Sequence, residues 1–157
     1  MFNIALYQPD IPQNTAAIIR LCSCFNTTLE IIEPCGFQLE DKRIKKIAMD
    51  YLNKSKIVVH KSYENFKEKK IGSRIILMTT KAKKNYYSFK FKPKDTLLFG
   101  RESAGVPKSV HNHSFERLKI PIEKKTRSLN ISTAAAITLS EAIKQNTSYK
   151  KWIKKFI

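Results

Sequence analysis

Two stretches of this chain combine residue types suited to holding a polar ligand. The first reads Gly100-Arg101-Glu102-Ser103-Ala104-Gly105-Val106-Pro107. Its glycines permit backbone to approach a ligand closely, and Pro107 can open a helix. The second runs from Pro121 through Arg127, Ser128 and Asn130 to Ser132 and Thr133, ahead of a helix-prone segment from Ala134 to Ile143. A helix start preceded by Ser, Asn and Thr presents free N–H groups and hydroxyls, a setting for a polar or anionic ligand. Ordinary capping by Ser132 or Thr133 accounts for the same composition. Metal chemistry is not expected: Cys22, Cys24 and Cys35 form no CxxC pair and keep no repeated spacing with the three histidines.

The elements that must position these stretches show in the apolar pattern. Short runs rich in Ile, Val and Leu recur at Phe2–Tyr7, Thr28–Ile32, Ile57–His60, Arg74–Thr79, Thr96–Phe99 and Leu118–Ile122. They are near-continuous rather than alternating, as strands covered on both faces should be. Helical spacing lies between them, with Ala17, Ile18, Leu21, Cys22 and Phe25 in one segment and Tyr63 and Phe66 behind a possible Ser62 cap in another. The alternation predicts an α/β domain with a mostly parallel sheet flanked by helices. Ligands of such sheets bind beyond the carboxyl ends of strands, which directs attention to the loops after Met78, Phe99 and Ile120.

A chain of 157 residues with 42% hydrophobic content has the size of one domain, expected to span 1–157 with a basic amphipathic tail at 146–157. Lys and Arg number 30 against 13 Asp and Glu, a formal charge of +17 that points to a polyanionic partner. An odd cysteine count reads as reduced thiols in a cytoplasmic protein, with Cys22 a buried helix residue. Phe2–Tyr7 is broken at once by Pro9, Asp10 and Pro12, too short for a signal peptide or a membrane span.

Three segments together resemble the SPOUT superfamily, and within it the small tRNA 2′-O-methyltransferases that act on the wobble ribose. They are Asn3 to Asn14 continuing to Ile19-Arg20-Leu21-Cys22, then Leu98 to Pro107, and then Arg127-Ser128-Leu129-Asn130-Ile131-Ser132 followed by a small-residue helix. Ile31-Ile32-Glu33-Pro34 and Asp41-Lys42-Arg43 extend the likeness. Departures fall at Arg101 and Ala104, at Thr133 and at Ser140.

The resemblance implies a C-terminal trefoil knot, an obligate homodimer, S-adenosylmethionine as cofactor and tRNA as substrate; neither a metal nor a membrane span is expected. It implies cofactor contacts, mainly through backbone, around Met78, Gly100, Ile120 and Ser128. No G-x-G-x-x-G follows the first strand, which disfavours a Rossmann-type methyltransferase. It assigns Arg20 to activating the hydroxyl. Because a guanidinium stays protonated, that role is better read as gripping the adjacent phosphate and stabilising developing alkoxide. Glu102 shapes its loop or orients Arg20, while Ser128 and Asn130 orient cofactor or ribose. Arg127, with Arg20 and Lys81, reaches the RNA backbone, and Asn14 braces the first loop.

Other basic regions are less specific. Lys81, Lys83 and Lys84 with Tyr86 and Tyr87 suit either a single-stranded RNA groove or a solvated loop. Tyr149, Trp152, Ile153, Phe156 and Ile157 form a stripe opposite four lysines, with packing on the body as the default and a dimer contact or an anionic membrane as alternatives. A related 2′-O-methyltransferase for another tRNA position or ribosomal RNA, and a non-catalytic RNA-binding module, are the alternative functions.

Overall fold

The computed structural model describes residues 2–39, 41–48, 50–51 and 55–146. The amphipathic stripe at the end of the chain lies outside them. Seven strands form one sheet: β1 (Asn3–Tyr7), β2 (Thr28–Ile32), β3 (Ile57–His60), β4 (Ile75–Met78), β5 (Lys84–Asn85), β6 (Thr96–Phe99) and β7 (Glu116–Lys119). Their order is β3-β2-β1-β6-β4-β7-β5, and every pairing is parallel. The five described α-helices are α1 (Pro12–Cys24), α2 (Lys42–Ala48), α3 (Tyr63–Lys69), α4 (Lys108–His113) and α5 (Ile131–Asn146), and a single 3-10 turn spans Tyr86–Ser88.

The central strands β4 and β6 are buried along their whole length because both faces of the sheet are covered there, whereas β5 and β7 at the edge carry charged residues. Along β1, Ile4 and Leu6 join the core beneath α1, α2 and α5, while Ala5 and Tyr7 face α3 and α4. The period of two repeats in β4 and β6: Ile76, Met78, Leu97 and Phe99 point to the first core, Ile75, Leu77 and Leu98 to the second. Ile18, Ile19 and Cys22 of α1 meet Ala135, Leu139 and Ala142 of α5 in the first core; Phe66 of α3 and Val110 of α4 anchor the second.

Several boundaries differ from expectation for local reasons. The last long strand is Glu116–Lys119 rather than Leu118–Ile122, since its ladder to β4 runs from Glu116 to Leu118 and Pro121 has no N–H to extend a ladder. α5 starts at Ile131, and Asn130 caps it by accepting the Ser132 N–H at 2.8 Å. Ser132 and Thr133 therefore lie inside the helix rather than capping it. Ser62 does cap α3, accepting from the Asn65 N–H at 3.1 Å. Pro12 opens α1 at its first turn, where a missing N–H costs nothing. The helix α2 and the two-residue strand β5 were not anticipated.

Candidate active site

Three adjacent parallel strands, β6, β4 and β7, end on the same side of the sheet. The loops that follow them enclose a cavity of about 720 Å³. Leu77, Met78, Phe99, Val106, Ile120 and Leu129 give it an apolar wall, while Ser128 and Asn130 add polar groups. Size and lining suit a ligand with one apolar and one polar part.

The loop after β6 is folded back on itself by reciprocal backbone bonds, Arg101 N–H to Gly105 O and Gly105 N–H to Arg101 O, both 2.9 Å. The pinch explains both glycines. A Cβ on Gly100 would stand 2.6 Å from the Gly105 carbonyl carbon, and Gly105 has φ +68°, the left-handed region that side chains disfavour. The requirement at Gly100 is thus closure of the loop on itself, more than approach to a ligand.

A polar frame ties this loop to the rest. Glu102 accepts from the Asp10 N–H at 2.9 Å and from Asn14 Nδ2 at 3.0 Å, and Asn130 Nδ2 donates to Asn14 Oδ1 at 2.9 Å. Asn14, on the first turn of α1, so links the first motif to the loop after β6 and to the start of α5. Asp10 completes the frame, accepting from the Ser103 N–H at 3.1 Å and from Ser103 Oγ at 2.5 Å. Gly36 packs against it, since a Cβ there would be 3.0 Å from the Asp10 Cα.

The expected site residues separate into groups. Met78, Gly100, Ile120 and Ser128 all line the cavity, as do Glu102, Asn130 and Lys81. Arg20 and Arg127 do not line it, and both are exposed. The Arg20 guanidinium lies over the Tyr51 ring, 5.5 Å from its centroid, and Glu102 is bonded to Asp10 and Asn14 rather than to Arg20. Asp10, Arg101 and His111 carried no assigned role in the sequence. Arg101 lines the cavity and donates from Nη2 to Gln8 Oε1, and its guanidinium lies 5.9 Å from the Tyr7 ring centroid. His111, also in the wall, is held below its ordinary pKa by burial and then by the charges of Lys81 and Arg117. No local signal could have found the partnership of Asp10 with Ser103, which are 93 positions apart.

Comparison with known proteins adds a family to this geometry. The SpoU rRNA Methylase family matches residues 1–140. The chain belongs to that family. Among curated relatives, the tRNA (cytidine(34)-2′-O)-methyltransferase of Beijerinckia indica is 46% identical over 144 residues, covering 90% of each chain. A solved structure described as giving insights into the 2-OH methylation of C/U34 on tRNA superposes with a TM-score of 0.90 at 33% identity, over 93% of this chain and 96% of the other. The SpoU methyltransferase AviRb of Streptomyces viridochromogenes, solved with the cofactor AdoMet, shares the fold with a TM-score of 0.85 at 20% identity, over 92% of this chain and 57% of its own.

The cavity meets the demands of that cofactor. Its apolar wall suits an adenine ring, and Ser128 and Asn130 in the lining suit the polar groups of an amino acid.

Proposed function

We propose that this protein transfers a methyl group from S-adenosylmethionine to the ribose 2′-hydroxyl of the wobble nucleotide, position 34, of tRNA. The observation that carries the proposal is the convergence of Met78, Gly100, Ile120 and Ser128 on one cavity. The named activity of relatives matching 90% or more of both chains supports the same reading.

When bound, the cofactor supplies an electrophilic methyl on a sulfonium. The residues Met78, Gly100, Ile120 and Ser128 hold it, and Glu102, Asn14 and Asn130 keep the loops around it in register. Alignment of the reacting groups by such a frame supplies much of the acceleration, up to about 7–11 kcal/mol in favourable cases. Ser128 and Asn130 orient the ribose, and Glu102 fixes the loop beside it. Arg20, outside the cavity, grips the phosphate next to the target and stabilises charge developing on the ribose oxygen. Arg127 and Lys81 hold further phosphates, in keeping with the charge of +17.

The chain works as one domain over 1–157, its C-terminal part knotted as in its superfamily, in the cytoplasm and as a homodimer. Support for the dimer comes from Ala17 on α1 and Ile137 on α5, which are only partly buried and pack into neither core, on two helices that touch. Among the described residues no helix is long and apolar enough to cross a membrane. Mapping 2′-O-methylation in tRNA and ribosomal RNA from cells lacking the gene tests the reading. Loss confined to tRNA position 34 is expected; loss in ribosomal RNA would favour the activity in the family's description, and no loss with no S-adenosylhomocysteine binding would favour a non-catalytic RNA-binding module.

A further inference from the structure

We infer that the sheet edge formed by β5 and β7 is a binding track for single-stranded RNA, on which Tyr87 stacks a base and Lys81, Lys83 and Arg117 hold the flanking phosphates. The inference rests on the proposed activity toward tRNA, whose wobble nucleotide lies in a single-stranded loop, and it adds the surface along which that strand runs.

The first support is continuity with the cavity. Lys81 lines the cavity and is itself exposed, and the chain leads from it through exposed Lys83 into the edge strand Lys84–Asn85. The second is charge. Lys84 is paired with Glu116 at 2.9 Å, whereas Lys81, Lys83 and Arg117 have no ion-pair partner among the described residues. Lys81 and Arg117 act together on His111 in the cavity wall, so their field is felt at the mouth of the site. The third is the aromatic group. Tyr87 is 56% exposed, yet its ring is held. Asn85 Nδ2 donates to its hydroxyl at 3.0 Å, and Tyr86, packed on the core, meets it edge to face at 5.7 Å. A fixed, exposed ring on a sheet edge that also carries unpaired cations is what sequence-tolerant base stacking requires.

Full-length protein and a fluorescently labelled single-stranded RNA dodecamer test this, with an RNA duplex of equal length as comparison. Tyr87→Ala should weaken binding of the single strand by about 5- to 100-fold, Tyr87→Trp should retain it, and the duplex should be affected little. Lys83→Ala should lower the slope of log affinity against log salt by about 0.7 for the single strand. Affinity for S-adenosylhomocysteine should not change in any of the three variants. Unchanged single-strand affinity in Tyr87→Ala, or an equal loss for the duplex, would overturn the inference. If wild-type protein methylates tRNA while this result is obtained, the track alone is wrong; if wild-type binds neither S-adenosylhomocysteine nor tRNA, the proposed function is.

Discussion

Asn14 on α1 donates from Nδ2 to Glu102 Oε1 at 3.0 Å, joining residues 88 positions apart in sequence. Its oxygen accepts from Asn130 at 2.9 Å, so a single carboxamide closes the frame in the cavity wall. Asn14→Ala removes both bonds. At about 1 kcal/mol net for each, affinity for S-adenosylhomocysteine should fall by roughly 10- to 30-fold in calorimetric titration. Unchanged affinity would show that the frame does not shape the cavity.

The two glycines of the pinched loop should differ in their tolerance. A methyl on Gly100 meets backbone at 2.6 Å, which cannot rotate away, whereas a methyl on Gly105 meets nothing within 4 Å and costs only the left-handed conformation. Gly105→Ala should lose about 1–2 kcal/mol. Gly100→Ala should abolish measurable S-adenosylhomocysteine binding while far-ultraviolet circular dichroism stays that of the folded protein. The reverse ranking would contradict the closure of this loop.

Not all of this was legible in the sequence. The strands of the α/β domain were, because two-sided burial writes continuous apolar runs such as Ile75–Met78 and Thr96–Phe99. The insertion of β6 between β1 and β4 was not, since pairing of Asn3 with Thr96 leaves no local trace. The cavity-lining residues followed from a resemblance and from the rule about strand ends. The polar frame followed only in part: the resemblance gave Asn14 as a loop brace, Glu102 as shaping its loop and Asn130 as a site residue, but the bonds of Asn14 to Glu102 and Asn130, and the part played by Asp10, leave no local trace. α2 was missed because Ile44, Ile47 and Ala48 are its only apolar positions, set among four basic residues.

Glu30, buried at 3% exposure on β2, is bonded to His60 at 2.9 Å and ion-paired with Lys70. Lys70→Met leaves a carboxylate short of its cation in the interior, and should cost about 3 kcal/mol in urea denaturation. A loss under about 0.5 kcal/mol would mean that water or a rearranged neighbour replaces the lysine.

Burial raises the Cys22 thiol from its ordinary value of about 9 to about 12, and burial followed by the charge of Glu33 raises Cys35 to about 11. Above pH 9 the unfolded chain releases protons that the folded chain keeps, so stability should fall as pH rises from about 9 toward 12, by up to about 1.4 kcal/mol per unit for Cys22, with a smaller loss from the half-buried Cys35 that ends near pH 11. Cys22→Ala should flatten that loss. At pH 8, iodoacetamide should label exposed Cys24 and spare Cys22 until the protein unfolds. Equal labelling of the two would contradict the packing of α1.

Methyl transfer itself tests the central claim most directly. Purified protein is mixed with methyl-labelled S-adenosylmethionine and tRNA from cells lacking the gene, under single-turnover conditions, and the label is located after alkaline hydrolysis. It should appear in an alkali-resistant dinucleotide containing position 34. Arg20→Ala should transfer at least about a hundredfold more slowly with S-adenosylhomocysteine affinity little changed, and Arg20→Lys should restore little, since an ammonium cannot grip phosphate and hydroxyl with a planar fork. Label on a base, label at another nucleotide, or a normal rate for Arg20→Ala at saturating tRNA would contradict the account.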